Sequence, residues 1–224
     1  MKLNKMVKIF TFCLFLLMIV GCNNGPKPEE EIYTVLEEVV KLEDSFKEQQ
    51  NPLVELEQSE KELYDEIISL SMKDYEKIVT LSNEALSIVE ERKQRIENEY
   101  ESIKESQEKF KTVNDHIEKL EDEQLKEEAR ALVEVMNNRY ESYEELYNYY
   151  TEAISYDLEL YNLFQEEDLS IDILQTQIDE INTSYDQVII ANEKFNEFTE
   201  IYNQAKISFY NNAGLDIVYE DQSN

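Results

Sequence analysis

The chain has 224 residues, with 51 acidic against 21 basic side chains and a formal net charge of -30. An acidic excess of this size excludes nucleic acid as a partner, because phosphate binding needs clustered Lys and Arg. It also excludes a body that lies flat on an anionic bilayer. Hydrophobic residues make up 42% of the chain, with 9 Phe and 15 Tyr, enough for a core provided they recur periodically.

In chain order, the first element is a leader. Lys2, Lys5 and Lys8 precede a twelve-residue run, Ile9 to Val20, that is apolar but for Thr11. A spanning helix needs about 20 apolar residues, so the run is too short to cross a bilayer. A positive start, a short apolar core and a small residue at its end are the parts of a secretory signal. The end of the run, Ile19-Val20-Gly21-Cys22, resembles the lipobox of bacterial lipoproteins. That resemblance implies cleavage after Gly21 and a diacylglycerol on the Cys22 sulfur, its acyl chains (palmitate among them) entering the membrane. Two chains hold far better than one, since each buried methylene contributes about 0.8 kcal/mol. Residues 1–21 are thus expected to be a lipoprotein signal peptide, with Cys13 only a small apolar residue within it. No cysteine lies beyond Cys22, so the body has no disulfide, thiolate metal site or cysteine nucleophile.

Residues 22–28 follow as a lipidated tether. Gly25, Pro26 and Pro28 resist helix formation, and the segment reaches roughly 20 Å at about 3.3 Å per residue.

From residue 29 to 213 there is no glycine, and Pro52 is the only proline. Breaker-poor sequence rich in Glu, Lys, Leu and Gln predicts helix. Short stripes come first: Ile32, Val39 and Phe46, then Leu53, Leu56, Leu63, Ile67 and Leu70. Tyr75, Ser82, Val89, Ile96, Ile103, Phe110 and Ile117 then recur by sevens, predicting a helix near 74–115 as the longest, roughly 60 Å at 1.5 Å per residue. A third stripe runs from Leu125 to Phe164. The last is Leu174, Ile181, Val188, Phe195, Tyr202 and Phe209, with Asn192 as a polar residue in its second line. Breaks are expected at Asn51-Pro52, at Ser71–Asp74, over Asn114–Gln124 and at Asp168–Ser170, where Ser170 can cap the last helix. Asn211-Asn212-Ala213-Gly214 is a stop, with Gly214 suited to a left-handed cap. The predicted fold is all-α: an elongated antiparallel helical bundle or coiled coil of about five helices over 29–213, without sheet, followed by a flexible tail over 214–224.

The residues carry no catalytic pattern. His116, the single histidine, sits in a polar stretch. Without glycine there is no phosphate loop, and no nucleophile elbow, zinc-binding helix or EF-hand loop occurs. Carboxylate runs such as Glu166-Glu167-Asp168 read as solvated faces, binding divalent cations weakly at most. No cofactor is expected. Seven tyrosines fall between 140 and 161. Most read as packing between helices with their hydroxyls reaching water. Tyr149 and Tyr156, seven apart and off the main stripe, form a candidate binding surface for glycan rings or a protein partner.

The stretch "EIYTVLEEVVKLEDSFKEQQNPLVELEQSEKELYDEIISL", Glu31 to Leu70, together with the lipobox before it and the helical remainder after it, resembles the YkyA-type family of Gram-positive bacteria. Gln49-Gln50-Asn51-Pro52-Leu53 carries the resemblance most specifically. Members of that family are described as cell-wall-binding lipoproteins. The resemblance implies a lipid-anchored, non-enzymatic protein on the outer face of the cytoplasmic membrane, with cell-wall glycan or an envelope protein as partner. A structural spacer or adaptor, and a regulator of an envelope hydrolase, are the alternative readings. Anionic wall polymers cannot attract this anionic chain directly, so cation bridging or aromatic and hydrogen-bond contacts would have to carry any wall binding.

Overall fold

The computed structural model describes residues 25–215. They form six helices: α1 Pro28–Leu42, α2 Asp44–Ser69, α3 Tyr75–Phe110, α4 Asn114–Ile117, α5 Glu123–Leu163 and α6 Ile171–Asn212. Two 3-10 turns, Met72–Asp74 and Lys111–Val113, bridge α2 to α3 and α3 to α4. No strand occurs among the described residues. The signal segment, Gly21, Cys22 and the tail beyond residue 215 lie outside them.

The expected count of five helices is corrected to four long arms. The first arm is α1 and α2 in succession, broken at one residue, Glu43 (φ -88°, ψ 6°), while α4 is a single turn. The break expected at Pro52 does not occur: Pro52 lies inside α2. The longest helix is α6, of 42 residues, rather than α3, of 36.

Pairings across the arms fix their directions. Lys77, Glu99 and Lys109 of α3 meet Glu66, Gln50 and Glu38 in turn. Numbers rise on one arm as they fall on the other, so α3 runs antiparallel to α1–α2. Tyr75 meets Gln165, just past the end of α5, and Tyr100 and Ser106 meet Glu144 and Tyr140 of α5, again antiparallel. Lys194 with Glu145 and Asn212 with Glu128 set α6 antiparallel to α5. Tyr33 with Tyr210 and Phe46 with Phe195 close the first arm against α6. The turns 70–74 and 164–170 therefore share one end, and the start of α1, the 111–122 connection and the end of α6 share the other.

Local chemistry places the ends. Pro28 opens α1, where its missing N–H costs nothing. Asp122 caps α5 by accepting from Gln124 and Leu125 N–H, and Ser170 caps α6 by accepting from Ile173 N–H. Gly214 adopts φ +67°. Leu215 N–H reaches back to Tyr210 O at 3.1 Å and Gly214 N–H to Asn211 O at 3.2 Å, a Schellman stop.

The expected heptad faces the core from Ser82 to Phe110 of α3 and on to Ile117 of α4. Three residues along runs a second buried line: Ile78, Ala85, Arg92, Glu99, Ser106, Val113 and Leu120. Its ends are apolar and its middle is polar. On α6, Val188, Phe195, Tyr202 and Phe209 are buried as expected, whereas Asn192 is exposed and Ala191 takes the seam beside it.

Candidate functional site

The polar middle of α3 meets polar residues of the other three arms. Arg92 is 1% exposed. Its Nη1 donates to Glu60 of α2 and, at 3.0 Å, to Asp157 of α5. Nη2 donates to the hydroxyls of Tyr150 at 3.0 Å and Tyr185 of α6 at 2.7 Å, and Nε to Tyr150 at 3.2 Å. All five N–H groups thus donate, to four acceptor atoms, the Tyr150 hydroxyl taking two of the bonds, which is the full capacity of a guanidinium. Its carbon also lies 5.2 Å from the Tyr150 ring centre.

Above this residue lies a cleft of 680 Å³ between α2 and α6, floored by α3 and α5. The two walls meet at Phe46 and Phe195, with ring centres 5.8 Å apart, and the cleft opens beyond that contact toward the 70–74 end. Glu57, Glu60, Glu99 and Asp157 line it along with Arg92 and Lys61. Lys61 pairs with Asp65 outside the cleft, so four carboxyl groups share one cation. Burial disfavours the charged forms of three of them, Glu60, Glu99 and Asp157. Burial pushes the Glu60 carboxyl up to about 7; Arg92 opposes the shift and Asp157 adds to it. Burial likewise pushes Glu99 up to about 7, against hydrogen bonds from Tyr143 and Gln50. Asp157 is raised by burial too, against Arg92 and the Tyr185 hydroxyl.

A second buried arginine, Arg139 of α5, holds the break between α1 and α2. Its Nη1 and Nη2 each donate to one oxygen of Glu43, both at 2.8 Å. Nε donates to Thr199 at 2.9 Å, and the guanidinium carbon lies 4.8 Å from the Phe195 ring centre. Ser106 donates to Glu43 at 2.7 Å and contacts the Tyr140 hydroxyl at 2.7 Å. Glu43, Ser106, Arg139 and Tyr140 are buried together and form a structural pin.

Tyr140, Tyr143, Tyr150 and Tyr161 are buried between the arms as expected, but three of these hydroxyls meet protein groups rather than water: Ser106, Glu99 and Glu57 respectively for Tyr140, Tyr143 and Tyr150. Tyr149 and Tyr156 are both half-buried. Tyr156 lines a shallow α5–α6 groove of 420 Å³ with Glu152, Asp179 and Glu180; Tyr149 is not part of it. Cys22 and Gly21 lie outside the described residues. No cluster of three or more His, Cys, Asp or Glu among the described residues is arranged to hold a metal ion.

Glu43, Glu60, Arg92, Glu99, Arg139 and Asp157 escaped the sequence reading. A signal for three positions was present: Arg92, Glu99 and Ser106 stand seven apart and each three residues after a member of the apolar stripe, the spacing of a second seam line. Nothing in the sequence marks Glu43, Glu60 or Asp157 among so many acids.

No helix among the described residues is long and apolar enough to cross a membrane. The chain matches the model of the YkyA family, described as "Putative cell-wall binding lipoprotein", over residues 27–212. It is 38% identical over 208 residues to "Uncharacterized lipoprotein YkyA" of Bacillus subtilis (strain 168), with 93% of each chain covered. Its fold is also similar to that of a conserved Staphylococcus aureus protein of unknown function, solved at 1.6 Å, with a TM-score of 0.64 and 17% identity over 81% of this chain and 93% of the other. At 17% identity that likeness speaks to the fold alone, whereas the first two matches place the chain, over nearly its whole length, in the YkyA family of lipoproteins.

Proposed function

We propose that the protein is a non-enzymatic extracytoplasmic lipoprotein, held on the outer face of the cytoplasmic membrane by lipid on Cys22, which contacts the cell wall through an elongated antiparallel helical bundle. The observation that carries this reading is the short distance between anchor and fold: α1 begins at Pro28, only a short tether beyond the lipobox cysteine. A lipid there would hold the start of α1, the 111–122 connection and the end of α6 beside the membrane. The 70–74 and 164–170 turns would then point away from it. A 41-residue helix such as α5 spans about 60 Å at 1.5 Å per residue, a reach out into the wall layer. The wall as partner comes from the description of the family.

Charge sets the kind of contact. With a formal charge of -30, the chain is repelled by anionic wall polymers, so aromatic and hydrogen-bond contacts to glycan carry the binding. Tyr149 and Tyr156 are the candidate contact surface, half-buried on α5. The test is sedimentation of the full-length lipoprotein, in detergent micelles, with purified wall material. The expected result is co-sedimentation that persists in chelator and falls on joint Tyr149→Ala and Tyr156→Ala substitution without loss of helix. Protein that stays in the supernatant would defeat the wall reading, and an unchanged double variant would defeat the surface.

A further inference from the structure

The cleft between α2 and α6 takes no part in the anchoring or in the Tyr149–Tyr156 surface. We propose that it is a binding site for a primary ammonium carried on an alkyl stem, such as a lysine side chain presents, with Glu57 as the group that meets the cation.

Size and shape come first. At 680 Å³ the cleft falls within the roughly 300–1,000 Å³ of small-ligand sites. Its walls are apolar side chains of two facing helices. Leu53 and Val54 of α2 stand opposite Ile181 and Ile189 of α6, and Val54 and Ile189 remain 63% and 57% exposed. Those walls suit a methylene stem, which would cover apolar surface now open at the mouth.

Charge then decides the sign of the ligand. An anion would need a free donor, and Arg92 has none: all five of its N–H groups are engaged by Glu60, Asp157, Tyr150 and Tyr185. Apart from Lys61, which Asp65 holds, the other donors lining the cleft, the Asn182 and Asn192 amides among them, are uncharged. Four carboxyl groups line the cleft and Arg92 is the sole cation in it without an outside partner. Glu57 is the carboxylate an incoming group reaches first. Its side chain is 43% exposed, and Oε1 accepts the Tyr150 hydroxyl at 2.5 Å. Arg92 Nη2 stands 3.8 Å off, beyond hydrogen-bond range. An ammonium at Glu57 therefore gains a charge-assisted bond without breaking the floor. A neutral stem gains only the apolar walls and leaves the carboxylates facing it.

Isothermal titration calorimetry on the full-length lipoprotein in micelles tests this with two probes of the same stem, Nα-acetyl-lysine amide and its Nε-acetylated form. The charged probe is expected to bind saturably and the acetylated one at least about tenfold more weakly, the loss of one hydrogen bond to a charged group. Two variants locate the site. Glu57→Gln keeps an acceptor for Tyr150 and should lose about tenfold. Ile189→Trp fills the mouth from an exposed position and should abolish binding. Equal binding of the two probes, wild-type affinity in either variant, or no saturable binding overturns the proposal. None of these outcomes depends on sedimentation with wall material, so the two readings fail separately.

Discussion

Glu43 and Arg139, 96 residues apart, are joined by two parallel hydrogen bonds of 2.8 Å in the interior of the protein. Glu43 is also the single residue at which the first arm breaks, so the ion pair fixes the kink between α1 and α2 against α5. Both side chains are at most 10% exposed. Removing one partner strands the other as a buried charge, which costs about 3–5 kcal/mol, whereas replacing both with apolar groups can be nearly neutral. Arg139→Met alone should lose stability of that order in urea unfolding. The pair Glu43→Leu with Arg139→Met should recover most of it. A double variant as weak as the single one would show that the pair stabilises the fold in itself.

Glu99 makes stability depend on pH. Its folded carboxyl stands near 7 because of burial, against an ordinary value of 4.5. A raised acid binds its proton more tightly in the folded state, so the folded form carries more protons than the unfolded one between those values. Stability therefore falls as pH rises from about 4.5 to about 7, by up to about 3 kcal/mol for this group at 1.36 kcal/mol per unit. Glu99→Gln removes this contribution, and Gln50 can turn its amide to accept from the new side chain. Unfolding series at pH 5 and pH 8 should show the variant gaining on the wild type at pH 8 and matching it at pH 5. Parallel curves would mean that Glu99 is not the source of the slope.

The helical content, the caps at Ser170 and Gly214 and the α3 and α6 seams were legible in the sequence because each is a local pattern. Seven-residue spacing reports a buried line, and a glycine after a helical run reports a left-handed stop. What was not legible depends on partners far away in the chain. Pro52 reads as a boundary, since local propensity disfavours it. The structure instead breaks at Glu43, where the reason is Arg139, 96 residues on. Isolated charges such as Arg92 and Glu99 are costly to bury. They are inside because α2, α5 and α6 bring Glu60, Tyr143, Asp157 and Tyr185 to them. The cleft itself is the space between two walls that touch at Phe46 and Phe195, a relation no single stretch contains.

Ser82 stands in the apolar line of α3 with 0% exposure. Its hydroxyl has no hydrogen-bond partner among the described residues. A buried polar group without a partner costs about 1–3 kcal/mol, and alanine is the better helix former. Ser82→Ala should therefore raise stability by about 1 kcal/mol, the lost hydroxyl volume offsetting part of the gain. Thermal unfolding should move upward; a lower midpoint would show that the hydroxyl is satisfied after all.

Pro52 sits eight residues after the first residue of α2, inside the helix rather than at its start. There it lacks the N–H that would bond to Glu48, and its ring crowds that carbonyl, a combination worth about 3 kcal/mol in a helix interior. The helix continues through it because the turns on either side are held from α3: Leu53 is buried, and Gln50 and Glu60 bond to Glu99 and Arg92. Tertiary packing thus outweighs local propensity at this position. Pro52→Ala restores the missing bond and relieves the crowding without touching those contacts, so it should stabilise the protein by about 1–3 kcal/mol. Urea unfolding measures the gain directly. Hydrogen exchange would place it, with amides from residue 49 to 56 exchanging more slowly in the variant. A destabilised variant would mean that the proline ring holds a bend the α2–α3 contact requires.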